Sequence, residues 1–214
     1  MHIPEGMLPG TICAVGYGLT GITLWYSLKK IKQKDDPRRE IPKASMLTAA
    51  FFISTFILIP IPPTSVHPLL IGLIGAILGF YAFPALLIAL FFQAALFQHG
   101  GITTLGVNAF LFGTSALLSY SIYQLLTRVL IGKRYQVFVA SFLTGAAGVA
   151  ITVILFYFVL ITFIPANLDV VMEQQAISIL TIAHIPIMLV EGIFTGFLFT
   201  FLKKVKPELI DGIH

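Results

Sequence analysis

The chain has 214 residues, 57% of them apolar and only 10% charged, with a formal net charge of +4. An average globular chain carries roughly 25% charged residues, whereas Ala44–Thr127 contains no Asp, Glu, Lys or Arg at all. A soluble fold cannot cover its surface with such a run, so the composition implies an all-α polytopic membrane protein. All thirteen Lys and Arg residues fall in Lys29–Lys43, Arg128–Arg134 and Lys203–Lys206. Short basic segments between apolar spans read as cytoplasmic loops, and that placement argues against nucleic-acid binding.

The first expected helix covers about 7–28. The residues before it include Pro4 and Glu5 but nothing basic, which fits a secretory signal peptide poorly. Small residues at Gly6, Gly10, Ala14 and Gly18 would let another helix approach closely. Cys13 is the single cysteine, so no internal disulfide exists, and a packing role is expected for it. The charged loop "KKIKQKDDPRRE" closes this helix, and the next basic loop is "TRVLIGKRY".

If both basic loops are cytoplasmic, the uncharged stretch between them crosses an even number of times. Its length suits four helices at roughly 20 residues per crossing. The breakers "PIPPTSVHP", Pro84 and "QHGG" place them near 44–60, 68–82, 84–97 and 103–127. The two middle ones are short, and would be tilted, shielded by longer neighbours, or one helix kinked at Pro84. A sixth helix over 136–164 leads to "PANLDVVMEQQ", acidic and free of basic residues as an external loop should be. A seventh, over 176–202, returns to the basic tail. The expectation is one integral-membrane domain over 1–214, with the N-terminus outside and the C-terminus cytoplasmic.

That topology puts "MHIPEG" on the outer face. The bulky His2 disfavours removal of Met1, so the chain starts with an α-amine of pKa near ~8. The Met1 amine, the His2 backbone nitrogen and His2 Nδ1 can close a five- and a six-membered chelate ring in one plane. A fourth nitrogen would complete a square, the geometry favoured by Ni(II) and Cu(II) over zinc. A lone histidine near a terminus is ordinarily just solvated. His67, however, lies on the same face in "PPTSVHP", where three prolines lower the cost of ordering the loop. Met1, His2 and His67 are therefore the expected metal ligands.

The segment "FFQAALFQHGGITTLGVNAF" interrupts the apolar sequence with Gln93, Gln98, His99, Thr103, Thr104 and Asn108. Such groups at membrane depth turn to the bundle interior. They are candidates, with Thr64 and Ser65 beside His67, for orienting ligands or gating the site. Interhelical hydrogen bonding is the plainer role for each. His184 and Glu191 are seven residues apart, hence on one helix face, and join the same candidates. "HIPIMLVEG" lacks the H-E-x-x-H spacing, so an integral-membrane metalloenzyme using His99, His184 and Glu191 is the remoter alternative.

Together "MHIPEG", "SVHP", "QAALFQHGGITTLGVNAF" and "HIPIMLVEG" resemble the CbiM/NikM family, the substrate-binding membrane subunits of energy-coupling-factor importers for nickel and cobalt. The resemblance runs from Met1 to the basic tail. It implies a seven-helix subunit in a prokaryotic plasma membrane, with ligands at the Met1 amine, the His2 amide and imidazole nitrogens, and the His67 imidazole. "MHIP" and "IPPTSVHPLLIG" look closer to the nickel branch, with Co(II) supply for cobalamin synthesis as the alternative. The chain has no G-x-x-x-x-G-K-[ST] loop. ATP use would fall to partners that the resemblance supplies: two ABC-type ATPases, a coupling transmembrane subunit and a small accessory membrane subunit. No organic cofactor is expected.

Overall fold

The computed structural model describes residues 2–61, 64–132, 135–165 and 169–211. Seven main helices occur among them: α1 (Gly10–Lys32), α2 (Ile41–Ser54), α3 (Ile71–Leu78), α4 (Ala82–Phe97), α5 (Leu105–Val129), α6 (Gln136–Thr162) and α7 (Val170–Val205). A short α8 (Glu208–Asp211) follows, and strands β1 (Ile59–Ile61) and β2 (Thr64–Val66) form an antiparallel hairpin between α2 and α3. Four stretches are long and apolar enough to cross a membrane by composition: 71–97, α5, α6 and α7. The chain is a multi-pass membrane protein.

The stretch 71–97 is not one straight span. The His67 and His99 rings that flank it lie 5.5 Å apart, so α3 and α4 run away from and back to the same end of the bundle. The reversal occurs at Gly79–Tyr81, where Gly79 has a φ of +55° and a side chain would meet the Tyr120 ring. Tyr81 donates its hydroxyl to the Pro37 carbonyl at 2.7 Å, which fixes this reversal beside the 33–40 loop. Four helices, α2 to α5, therefore lie between the two basic loops. Pro84 does not break the chain. It sits in the first turn of α4, where a missing N–H costs nothing.

Other bounds differ from the sequence expectation for local reasons. The helix expected over 44–60 ends at Ser54, because the prolines that follow suit a hairpin better than a helix. Val66 of that hairpin packs on Ala183 and Ile187 of α7, with Ile59 against the same group. α7 begins six residues earlier than expected, at Val170. The Asp169 carboxylate accepts from the backbone N–H groups of Val171 and Met172 at 3.0 and 3.1 Å and caps it.

Every residue of α3 is buried. Gly72 meets the backbone of Thr144 and Gly145 on α6, and Gly75 meets the backbone of Ala116 on α5. The small residues thus let α3 wedge between two full-length helices and carry the preceding loop into the bundle. A side chain at Gly75 has only backbone to displace. Gly75→Val is expected to lower stability by about 2–3 kcal/mol through overpacking, read as a lower melting temperature in detergent.

α1 lies against α5, with Gly16 on Val107 and the Thr20 hydroxyl donating to the Gly106 carbonyl at 2.6 Å. Its outer face keeps Val15, Ile22 and Trp25 exposed, as lipid contact requires. The Lys29 and Lys30 ammonium groups sit 5.2 and 5.8 Å from the Trp25 and Tyr26 ring centres. Aromatic and basic residues so paired mark the interfacial layer at this end.

Candidate metal centre

The end of the bundle opposite the 33–40 loop gathers the N-terminal segment, the loop after β2, and the turn between α4 and α5. Ile3 acts as the peg for the first of these. Its side chain is fully buried, its N–H donates to Asn108 Oδ1 at 3.0 Å, and its carbonyl accepts from Thr104 Oγ1 at 2.8 Å and Asn108 Nδ2 at 3.1 Å. The Glu5 carboxylate adds a second hold by accepting from the Thr103 N–H at 3.3 Å. Gly101 leaves the room for that carboxylate, since a side chain there would strike it. No sequence signal reveals this peg, because it is held through its main chain.

Held this way, His2 lies between two other imidazoles. Its ring centre is 5.3 Å from that of His67 and 4.3 Å from that of His99, with the Phe112 ring 5.1 Å away. One nitrogen from each of His2, His67 and His99 falls within 4.8 Å of the others.

Hydrogen bonds choose which nitrogens can bind a metal. His2 Nε2 is 3.1 Å from Gln93 Oε1, an acceptor, so Nε2 carries the proton and Nδ1 keeps the lone pair. His2 Nδ1 is buried with no hydrogen-bond partner among the described residues. Gln93 is itself held by donating to Thr55 Oγ1 at 3.2 Å. His67 Nδ1 is 3.2 Å from the Pro68 carbonyl, an acceptor, so Nδ1 carries the proton and donates it there, and Nε2 keeps the lone pair for a metal. Nδ1 is the His2 nitrogen that closes a six-membered ring with its own backbone amide. Outer hydrogen bonds of this kind fix the tautomer of metal-ligating histidines.

Burial also keeps these imidazoles neutral. It lowers the pKa of His2, His67 and His99 below the ordinary 6.5, and neighbouring histidines add to the effect at His2 and His67. The unfolded chain protonates near 6.5 while the folded one refuses the protons, so stability is present above that pH and is lost below it. The metal-free protein is therefore expected to melt at progressively lower temperature from about pH 7 to about pH 5, checked by scans in matched buffers.

The remaining candidates divide. Gln93, Thr104 and Asn108 support the centre as described, while Thr103 contributes its backbone and keeps its side chain exposed. Gln98 is exposed, and its left-handed backbone (φ 52°) ends α4 rather than serving the site. Met1 and the side chains of Thr64 and Ser65 lie outside the described residues. His184 Nδ1 bonds the Leu180 carbonyl at 2.7 Å within α7. Glu191 is a buried carboxyl bonded to backbone two and three residues past His67 rather than at the imidazoles. Its carboxylate accepts from the Leu69 N–H and, at 2.8 Å, the Leu70 N–H. It thereby caps the start of α3 and ties α7 to the loop that carries His67.

The family model for CbiM, the cobalt uptake substrate-specific transmembrane region, matches residues 2–209. The chain belongs to the CbiM family. It is 34% identical over 220 residues to a cobalt transport protein CbiM of Desulforamulus reducens, covering 100% of this chain and 85% of that one. It is 30% identical to a fused nickel transport protein NikMN of Rhodobacter capsulatus, covering 98% of this chain and 64% of the relative. A crystal structure of a transition metal transporter superposes with a TM-score of 0.81 at 28% identity, over 99% of this chain and 97% of that one. Membership of the CbiM family makes the chain a membrane component of cobalt and nickel transport, with a transition metal ion as substrate rather than a catalytic cofactor.

Proposed function

We propose that this CbiM-family chain is the substrate-binding subunit of an ATP-driven energy-coupling-factor importer and captures Ni(II) at the outer face. The ligands are the Met1 amine, the His2 amide nitrogen, His2 Nδ1 and His67 Nε2. The observation that carries this reading is the tautomer pair. His2 offers a buried Nδ1 that has no partner among the described residues, next to a His67 whose Nδ1 is already engaged. Four nitrogens in a plane suit nickel and disfavour zinc. Co(II) is the second reading, favoured by the name of the Desulforamulus reducens relative.

Because burial holds the imidazoles neutral, they have no proton to give up at neutral pH. Binding one Ni(II) then releases about two protons, one from the amine and one from the amide. Calorimetry in buffers of different ionisation enthalpy measures that number, and the visible spectrum should be that of a diamagnetic planar complex. Release of no proton, or a paramagnetic octahedral spectrum, rejects the chelate. Transport needs partners: a pair of ABC-type ATPases, a coupling transmembrane subunit and a small accessory membrane subunit. Cells expressing this chain with them should accumulate nickel, and cells expressing it alone should not.

A further inference from the structure

The four-nitrogen chelate leaves His99 unused, although His99 faces the same point. Its Nε2 is buried without a hydrogen-bond partner among the described residues, and its ring meets His2 edge-on at 4.3 Å. Gly100 has a φ of +88°, and Cβ and Cδ2 of His2 would lie 3.7 and 3.8 Å from a side chain added there, so the turn that carries His99 runs close beside His2. Three imidazoles thus offer three nitrogens within 4.8 Å, all held neutral, with no backbone nitrogen involved.

We infer that His2, His67 and His99 form a second, tripodal donor set that binds a tetrahedral divalent ion, Zn(II) above all, when the N-terminal chelate is not closed. This rests on the proposed chelate for its contrast, since the two modes share His2 and His67 and differ in the rest. Three histidines with an open fourth position are a tetrahedral zinc arrangement. Zinc–nitrogen bonds of about 2.0–2.1 Å require the nitrogens to sit about 3.3 Å apart. The rings must therefore close in by roughly 1.5 Å relative to the 4.8 Å limit, a rotation of side chains rather than a refolding. The tripod needs no amide deprotonation, so it is available where the planar chelate is not. Zinc bound there occupies the nickel ligands without forming the planar complex and so acts as a competitor for uptake.

The test uses the full chain with the Met1 amine capped by a retained formyl group, which blocks the planar chelate and leaves all three imidazoles. Zn(II) is titrated by calorimetry, and Co(II) is the spectroscopic probe. The capped chain should bind one Zn(II) and give the intense visible bands of tetrahedral Co(II). His99→Ala in the capped chain should weaken Zn(II) by more than about 100-fold, the upper end of what losing an outer hydrogen-bond partner costs, and abolish those bands. His99→Ala in the uncapped chain should keep its nickel complex, which also shows that the variant folds. Absence of Zn(II) binding by the capped chain, or binding unchanged by His99→Ala, overturns the tripod. Tight planar nickel in the capped chain overturns the N-terminal chelate instead, so the two failures are distinct.

Discussion

Capping the Met1 amine will lower nickel affinity by at least about a thousandfold, or about 4 kcal/mol, and leave the melting temperature of the metal-free protein unchanged. The cap removes one donor and opens the five-membered ring. It also makes deprotonation of the His2 amide harder, because that proton is lost only when the metal is already anchored by the amine. The fold is spared because the segment is held from Ile3 onward, through Asn108 and Thr104. A formyl or acetyl cap is the right perturbation. Inserting one residue before His2 would create an amine, two amides and an imidazole in series, itself a planar four-nitrogen chelate for nickel. Equal affinity of capped and free chains, measured by competition with a chelator, would remove the amine from the ligand set.

Replacing Glu191 by Leu should have the second large effect. Glu191 is 3% exposed, and its carboxylate is the acceptor for two backbone N–H groups at the start of α3. Leaving both buried donors unsatisfied costs about 2–5 kcal/mol. The loss should not stop at stability. Leu69 and Leu70 are two and three residues past His67, and Leu70 holds a left-handed backbone (φ 53°) at the turn into α3. Without the carboxylate this turn relaxes and His67 leaves the plane, so nickel affinity falls by about 10–100-fold and the visible spectrum changes. Glu191→Gln keeps one carbonyl acceptor and should recover part of both losses. A Leu variant that melts lower but keeps the native nickel spectrum would make Glu191 a stabilising cap alone.

Glu191 also illustrates where sequence reasoning stopped. A carboxyl inside an apolar helix is legible as a group with a job, because hydrocarbon penalises it. A backbone partner can be anticipated, but not that it is Leu69 and Leu70, because nearly every residue has a backbone N–H. Ile3 escaped for a similar reason, since its side chain says apolar and nothing about the three hydrogen bonds made by its main chain. Pro84 marks a real boundary only to within a few residues, because proline suits the first turn of the helix that follows the reversal at 79–81. The sequence groups His99 with residues that orient or gate, whereas folding brings its ring to 4.3 Å from that of His2, nearer than that of His67 at 5.3 Å.

The sequence by itself determined the medium, the helical class and the two histidines that meet. Each follows from composition or from charge placement, which act through the solvation of whole segments and need no coordinates. Tertiary structure alone decided which imidazole nitrogens keep their lone pairs. That choice depends on Gln93, brought in on α4, and on the Pro68 carbonyl, fixed by the turn that Glu191 holds. Tautomers are set by hydrogen-bond geometry over a few tenths of an ångström, and no pattern of residue types along a chain records distances of that size.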